Sequence, residues 1–195
     1  MKRRAAIPFA ALLSVLFPVP VRADSTVVLS EIQYHPVGDE TQLEWVELYN
    51  QMAVDMDISG WSLSDGVLFE FPAGTIVSGG GFVVLAASPT GLQAATGFSG
   101  ALGPFEGRLD NSGETLELRN NSGRIMDSVK YKDSGDWPAE ADGSGATLAK
   151  VHPDLGSASA SSWTASALVG GTPGEHNFPV EGVPRPLPRD VISYW

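Results

Sequence analysis

Apolar and polar residues alternate in short runs along this chain, with the period of two that a half-buried strand imposes on its side chains. Such runs cover Thr26 to Tyr34, Leu43 to Asn50, Trp61 to Ser64, Val67 to Phe71 and Phe82 to Ala87. Others follow at Phe105 to Leu109, Thr115 to Arg119, Ile125 to Lys132 and Thr147 to Val151. Turn chemistry separates them, as in Pro36-Val37-Gly38-Asp39, Asp65-Gly66, Gly79-Gly80-Gly81, Asn111-Ser112-Gly113 and Asn121-Ser122-Gly123. These clusters supply the positive-φ positions of tight hairpins. About nine short strands at this spacing predict an all-β sandwich or barrel. The best helix candidate, Gly91 to Thr96, is barely a turn long.

Within Leu43 to Asn50, alternation places Trp45, Glu47 and Tyr49 on one face and Glu44, Val46 and Leu48 on the other. Apolar residues on both faces predict a strand covered on both sides. Glu47 is then a carboxylate between two aromatics, read as an acceptor of hydrogen bonds at a sheet corner. A catalytic acid would need a second carboxylate at a defined distance.

The ends of the chain break the pattern. Lys2, Arg3 and Arg4 precede an apolar stretch from Ala5 to Phe17, and Val21-Arg22-Ala23 resembles a signal-peptidase site. Residues 1–23 are therefore expected to be a signal peptide, and residues 24–177 the folded domain. The apolar stretch is too short to span a bilayer, so no membrane span is expected after cleavage. Residues 178–195 hold Pro179, Pro184, Pro186 and Pro188 and read as a Pro-rich tail or linker. The expected location is secreted, periplasmic or cell-surface.

Charge then narrows the partners. Without residues 1–23, 8 basic side chains remain against 23 acidic ones, a net charge of −15. That balance opposes a phosphate backbone, whose affinity for proteins comes largely from Lys and Arg, so direct nucleic-acid binding is not expected. The chain has no cysteine. Cohesion in an exported domain must then come from packing and strand pairing rather than disulfides.

Candidate chemistry is sparse. His35, His152 and His176 lie far apart in sequence, and no Gly-x-Ser-x-Gly elbow marks a nucleophile. Asp133, Asp136, Glu140 and Asp142 fall within ten residues around Trp137-Pro138, a carboxylate density that would suit calcium, but in no EF-hand pattern. No metal, cofactor or catalytic residue is expected. Trp137, before a proline in this acidic loop, is the tryptophan expected to be exposed. With Asp136 and Asp142 it forms the candidate binding surface.

The order of motifs resembles the lamin-tail domain family, in the form found in exported bacterial proteins. Its carriers are Leu29-Ser30-Glu31-Ile32-Gln33-Tyr34-His35-Pro36, Glu44-Trp45-Val46-Glu47-Leu48-Tyr49-Asn50 and Asp57-Ile58-Ser59-Gly60-Trp61. Phe71-Pro72-Ala73-Gly74-Thr75, Leu109-Asp110-Asn111-Ser112-Gly113-Glu114, Asp127-Ser128-Val129-Lys130-Tyr131 and Gly171-Thr172-Pro173-Gly174 follow in turn, ending at Asn177. The resemblance implies an Ig-like β-sandwich and a non-catalytic module that binds a protein or surface polymer. The alternative is a glycan-binding module, or an accessory domain of an extracellular hydrolase such as a nuclease. An exposed aromatic platform would favour glycan, and a pocket with paired carboxylates or a His-carboxylate pair would favour a hydrolase.

Overall fold

A computed structural model describes residues 25–179. The expected signal peptide and the tail from residue 180 onward lie outside the described residues. The strands are β1 (Val27–Gln33), β2 (Trp45–Asn50), β3 (Met56–Asp57), β4 (Ser62–Ser64), β5 (Val67–Glu70) and β6 (Ile76–Val77). They continue as β7 (Phe82–Ala86), β8 (Glu106–Gly107), β9 (Thr115–Arg119), β10 (Ile125–Lys130), β11 (Ala146–Lys150) and β12 (Trp163–Val169). Two short helices, α1 (Glu40–Leu43) and α2 (Pro89–Thr96), interrupt them, with 3-10 turns at Ala139–Ala141 and Ala160–Ser162.

Two five-stranded sheets face each other, in the orders β12-β11-β1-β2-β7 and β10-β9-β4-β5-β8, and β3 and β6 form a separate ribbon. All the pairings between named strands are antiparallel. Between the sheets lie Leu29, Ile32, Val46 and Leu48 from the first and Leu63, Val67, Leu116, Leu118 and Val129 from the second, all buried. Trp61 reaches this core through a turn in which Gly60 takes φ +68° and the Trp61 N–H donates to the Ile58 carbonyl. Trp163 and Trp45 are also buried.

The first sheet is covered on its outer face as well. Trp45 packs there with Val84, Ala86 and Leu92 of α2. This helix is longer than the expected Gly91 to Thr96, because Ser88 caps it by accepting from the Gly91 N–H at 3.1 Å and Pro89 opens it. Both are start signals that precede any apolar periodicity. Each of the nine expected runs contains a strand. The additional strands are the two-residue β3 and β6 and the longer β12, whose Ala- and Ser-rich sequence has little intrinsic strand preference and is ordered by pairing with β11.

Candidate functional site

Glu31 and Glu47 stand opposite each other on β1 and β2, beside a register shift between Leu29 and Glu31. Both are buried on the outer face of the first sheet. A strap from Gly170 to Phe178 crosses them and supplies donors. The Gly174 N–H donates to Glu47 Oε2 at 2.7 Å, and Ser30 Oγ donates to Glu47 Oε1 at 2.7 Å. Glu31 accepts from the Thr147 hydroxyl, from the Thr172 N–H at 3.2 Å and from Asn177 Nδ2 at 2.6 Å. Gly171 has φ +71°, and a Cβ there would fall 2.1 Å from Glu31 Oε1.

Burial pushes the Glu31 carboxyl up to about 7 despite these donors, among which Thr147 opposes most. Glu47 is raised well above the ordinary glutamate range, first by burial and then by the neighbouring Glu31 charge. Burial and mutual repulsion thus make the pair hold a proton more firmly than free glutamates do. The second carboxylate that the sequence could not place beside Glu47 is Glu31. The protein groups donating to the pair fasten the strap and the neighbouring strands to it.

A second polar cluster gathers around α1. Asp39 caps α1 by accepting from the Thr41 N–H, and α1 then presents Glu40 to Arg108 and to Asn111 Nδ2, the latter at 2.6 Å. Glu44, just beyond α1, accepts from the Leu109 N–H at 3.0 Å, and burial pushes its carboxyl up to about 7 against the opposing Leu109 bond and Arg108 charge. The Tyr131 hydroxyl reaches the Asp110 carbonyl and Glu114 Oε1, each at 3.0 Å. His35 Nδ1 lies 2.6 Å from Asp142 Oδ1, a hydrogen bond on the surface.

Of the candidate binding residues, Asp142 is exposed and engaged with His35, and Asp136 is exposed. Trp137 is half-buried and packs against the main core, because the loop folds inward to seat Ala141 there. Trp137, the tryptophan expected to be exposed, is thus partly covered by the core. Among the described residues, no three His, Cys, Asp or Glu side chains converge in a way that could hold a metal ion. His176 instead joins Tyr49 and Phe82, with ring centroids 5.2 and 5.0 Å away and the planes steeply crossed. Edge-on rings do not make the flat platform that a sugar face needs.

The carboxylate pair and the His-carboxylate pair are both present. The cavity beside Glu47 measures about 20 Å³, room for about one water. A larger groove, about 390 Å³, runs between the Pro72–Ile76 turn and β7, and no titratable side chain lines it. Among the described residues no helix is long and apolar enough to cross a membrane.

Two antiparallel sheets packed around one core, with the polar blocks tying turns and straps to strands, define an Ig-like β-sandwich domain. The Lamin Tail Domain family model matches residues 20–133, more than half of the sequence, and the chain belongs to this family. It is a family of Ig-like, non-enzymatic domains. No curated protein matches the chain. The matched span ends before β11, β12 and the strap, although these strands complete the first sheet and the strap covers the Glu31–Glu47 pair.

Proposed function

We propose that the chain is an exported, non-catalytic interaction module that binds a protein or surface polymer outside the cytoplasm. The observation that carries this reading is the use to which the buried acids are put. Glu31, Glu44 and Glu47 accept hydrogen bonds from the backbone or side chains of other segments, and only water-sized space adjoins Glu47. A general acid must reach a proton on a substrate, and here the protein's own groups occupy that place. Family membership supports an interaction role. The net charge of −15 on residues 24–195 favours partners that are not polyanions.

The test is chemical cross-linking of the chain in the extracytoplasmic fraction of its source cells, run beside turnover assays with phosphodiester, ester and glycoside substrates. The expected result is adducts with a defined partner at exposed residues and no turnover. Turnover that disappears in Glu47→Gln or His35→Ala would replace this reading with a hydrolase.

A further inference from the structure

The strap from Gly170 to Phe178 is pinned to the first sheet by the acid pair it covers. It leaves β12 through Gly170 and Gly171, whose φ angles are +81° and +71°. The Gly170 N–H donates to the Gly145 carbonyl at 2.7 Å and the Gly171 N–H to the Leu168 carbonyl at 3.1 Å. Beyond these, the Glu175 N–H turns back to the Thr172 carbonyl at 2.9 Å, within the strap. The hydrogen bonds that Thr172, Gly174 and Asn177 donate to the sandwich all end on Glu31 or Glu47. His176 adds its edge-on contacts with Tyr49 and Phe82.

Both pins are titratable. Glu31 and Glu47 are buried opposite each other, and among the described residues neither forms an ion pair with Lys, Arg or His. While the pair holds a proton, the strap's donors meet at most one buried charge. Loss of that proton leaves two like charges on adjacent strands beside a cavity with room for about one water, so desolvation and repulsion act together. Lifting the strap admits water to both. Around the pair stand Glu175 and His176 of the strap, Tyr49 of β2, Lys150 of β11, and His152 and Asp154 of the loop that follows it. Burial lowers Lys150 to about 8 and raises Tyr49 above its ordinary 10, so neither changes charge below pH 8. His176, lowered by burial and then by His152, gains a proton more readily with the strap open and so favours opening as pH falls.

We propose that the strap is a proton-controlled latch, closed while the Glu31–Glu47 pair holds a proton and lifted about Gly170 and Gly171 when the pair loses it, which uncovers the Tyr49 and Phe82 rings beneath His176. The latch is built into the fold and does not depend on what the module binds. Linkage fixes its sign. With the strap open, the carboxyls meet water and ionise near the ordinary 4.5, whereas under the closed strap burial holds Glu31 up to about 7 and Glu47 well above its usual range. Opening therefore releases protons above about 4.5, and each unit of rising pH favours the open strap by up to about tenfold for each carboxyl. The two carboxyls outweigh the single opposing His176. Such an opening is local, and the strands beneath stay paired.

The experiment is amide hydrogen exchange of residues 24–195 at pH 5, 6 and 7, corrected for the pH dependence of the exchange chemistry, with hydroxyl-radical labelling of Tyr49 and Phe82 at the same pH values. Protection at Thr172, Gly174 and Glu175 should fall by about tenfold or more per pH unit, and labelling of the two rings should rise with it. At every pH these amides should be less protected than those of Val46 and Leu118 in the core, and low urea should not change their exchange. Glu47→Gln still accepts from the Gly174 N–H but cannot ionise, so it should keep the strap closed to higher pH, with at least about tenfold more protection than the native chain at pH 7. Gly174→Ala places a Cβ 2.4 Å from the Phe98 ring at φ +82° and should lift the strap at pH 5 as well, with the core amides still protected.

Strap protection that is constant or rises from pH 5 to 7, or that falls as steeply in Glu47→Gln as in the native chain, would overturn the proposal. So would strap amides that share the protection and the urea dependence of Val46 and Leu118, since the strap would then open only when the whole domain unfolds. Ring labelling that stays constant while the strap amides exchange would show that the rings are not what the strap uncovers, and would overturn it too. Substrate turnover or a mapped partner bears on the interaction-module reading and leaves the latch untouched.

Discussion

Raising the pH from 5 to 8 should destabilise this domain, and Glu47→Gln should remove part of that loss. In the unfolded chain Glu31 and Glu47 ionise at the ordinary 4.5, but in the folded protein burial holds Glu31 up to about 7 and Glu47 well above its usual range. Below about 4.5 both states bind the protons and the free energy of unfolding does not depend on these groups. Between 4.5 and 7 the unfolded chain has released protons that the folded protein still holds, so stability falls as pH rises through this window. The gap between 4.5 and about 7 at Glu31 corresponds to about 3 kcal/mol. A domain of this size has only about 5–15 kcal/mol in total. Glu44, also pushed up to about 7 by burial, adds in the same direction. His176, held below its ordinary 6.5 by burial, opposes it, because the unfolded chain protonates first as pH falls.

Glu47→Gln retains a polar side chain of the same shape but cannot ionise, so Glu47's share of the slope vanishes while those of Glu31, Glu44 and His176 remain. Relative to the native chain, the variant should be near neutral or slightly destabilised at pH 5 and should gain steadily towards pH 8. The assay is urea unfolding followed by tryptophan fluorescence at unit pH steps and fixed ionic strength. The series stops at pH 8 because burial lowers Lys150 to about 8, and above that value its early loss of a proton adds a slope of the opposite sign. A native chain whose stability is flat or rising from pH 5 to 8, or a Glu47→Gln curve parallel to it, would refute the reasoning.

Trp61→Ala removes a buried indole from the main core and should cost about 3–5 kcal/mol, read as a lower urea midpoint. Gly171→Ala places a Cβ against Glu31 Oε1 and Thr147 Cγ2 at a backbone angle of +71°, and should cost on the order of 1–3 kcal/mol, with faster amide exchange in Thr172 to Asn177. Millimolar calcium against chelator should leave the melting temperature unchanged, whereas an ion site at the Asp133–Asp142 loop would add about 2.7 kcal/mol at a hundredfold excess over its dissociation constant. A calcium-dependent rise abolished by Asp136→Ala would establish such a site.

The strands were legible because their signal is local. Val27 to Gln33 and Trp45 to Asn50 announce themselves by β-rich composition and by the turns around them, and all but Tyr49 of these residues are buried. β12 was not legible, since the alternation in Trp163-Thr164-Ala165-Ser166-Ala167 is carried mostly by small alanines of weak strand preference, and pairing with Ala146 to Lys150 orders it as a strand. The same distinction governs the polar residues. Glu47 could be read as a hydrogen-bond acceptor from its aromatic flanks, and the structure gives it Ser30 and Gly174 as donors. That Glu31 faces it, and that a glycine-rich segment more than 120 residues further along the chain closes over both, depends on a strand register and a crossing that no local pattern encodes.

This is also why the motif blocks carried the family so well and the site so poorly. Asn50 Nδ2 donates to the carbonyls of Val77 and Ser78, Glu44 holds Leu109, and Asp127 accepts from the Leu29 N–H at 2.8 Å. Each of these motif residues fastens the backbone of a segment distant in sequence or in the fold, so the blocks specify how the sandwich is tied together. What the module recognises must then be sought where no such block lies.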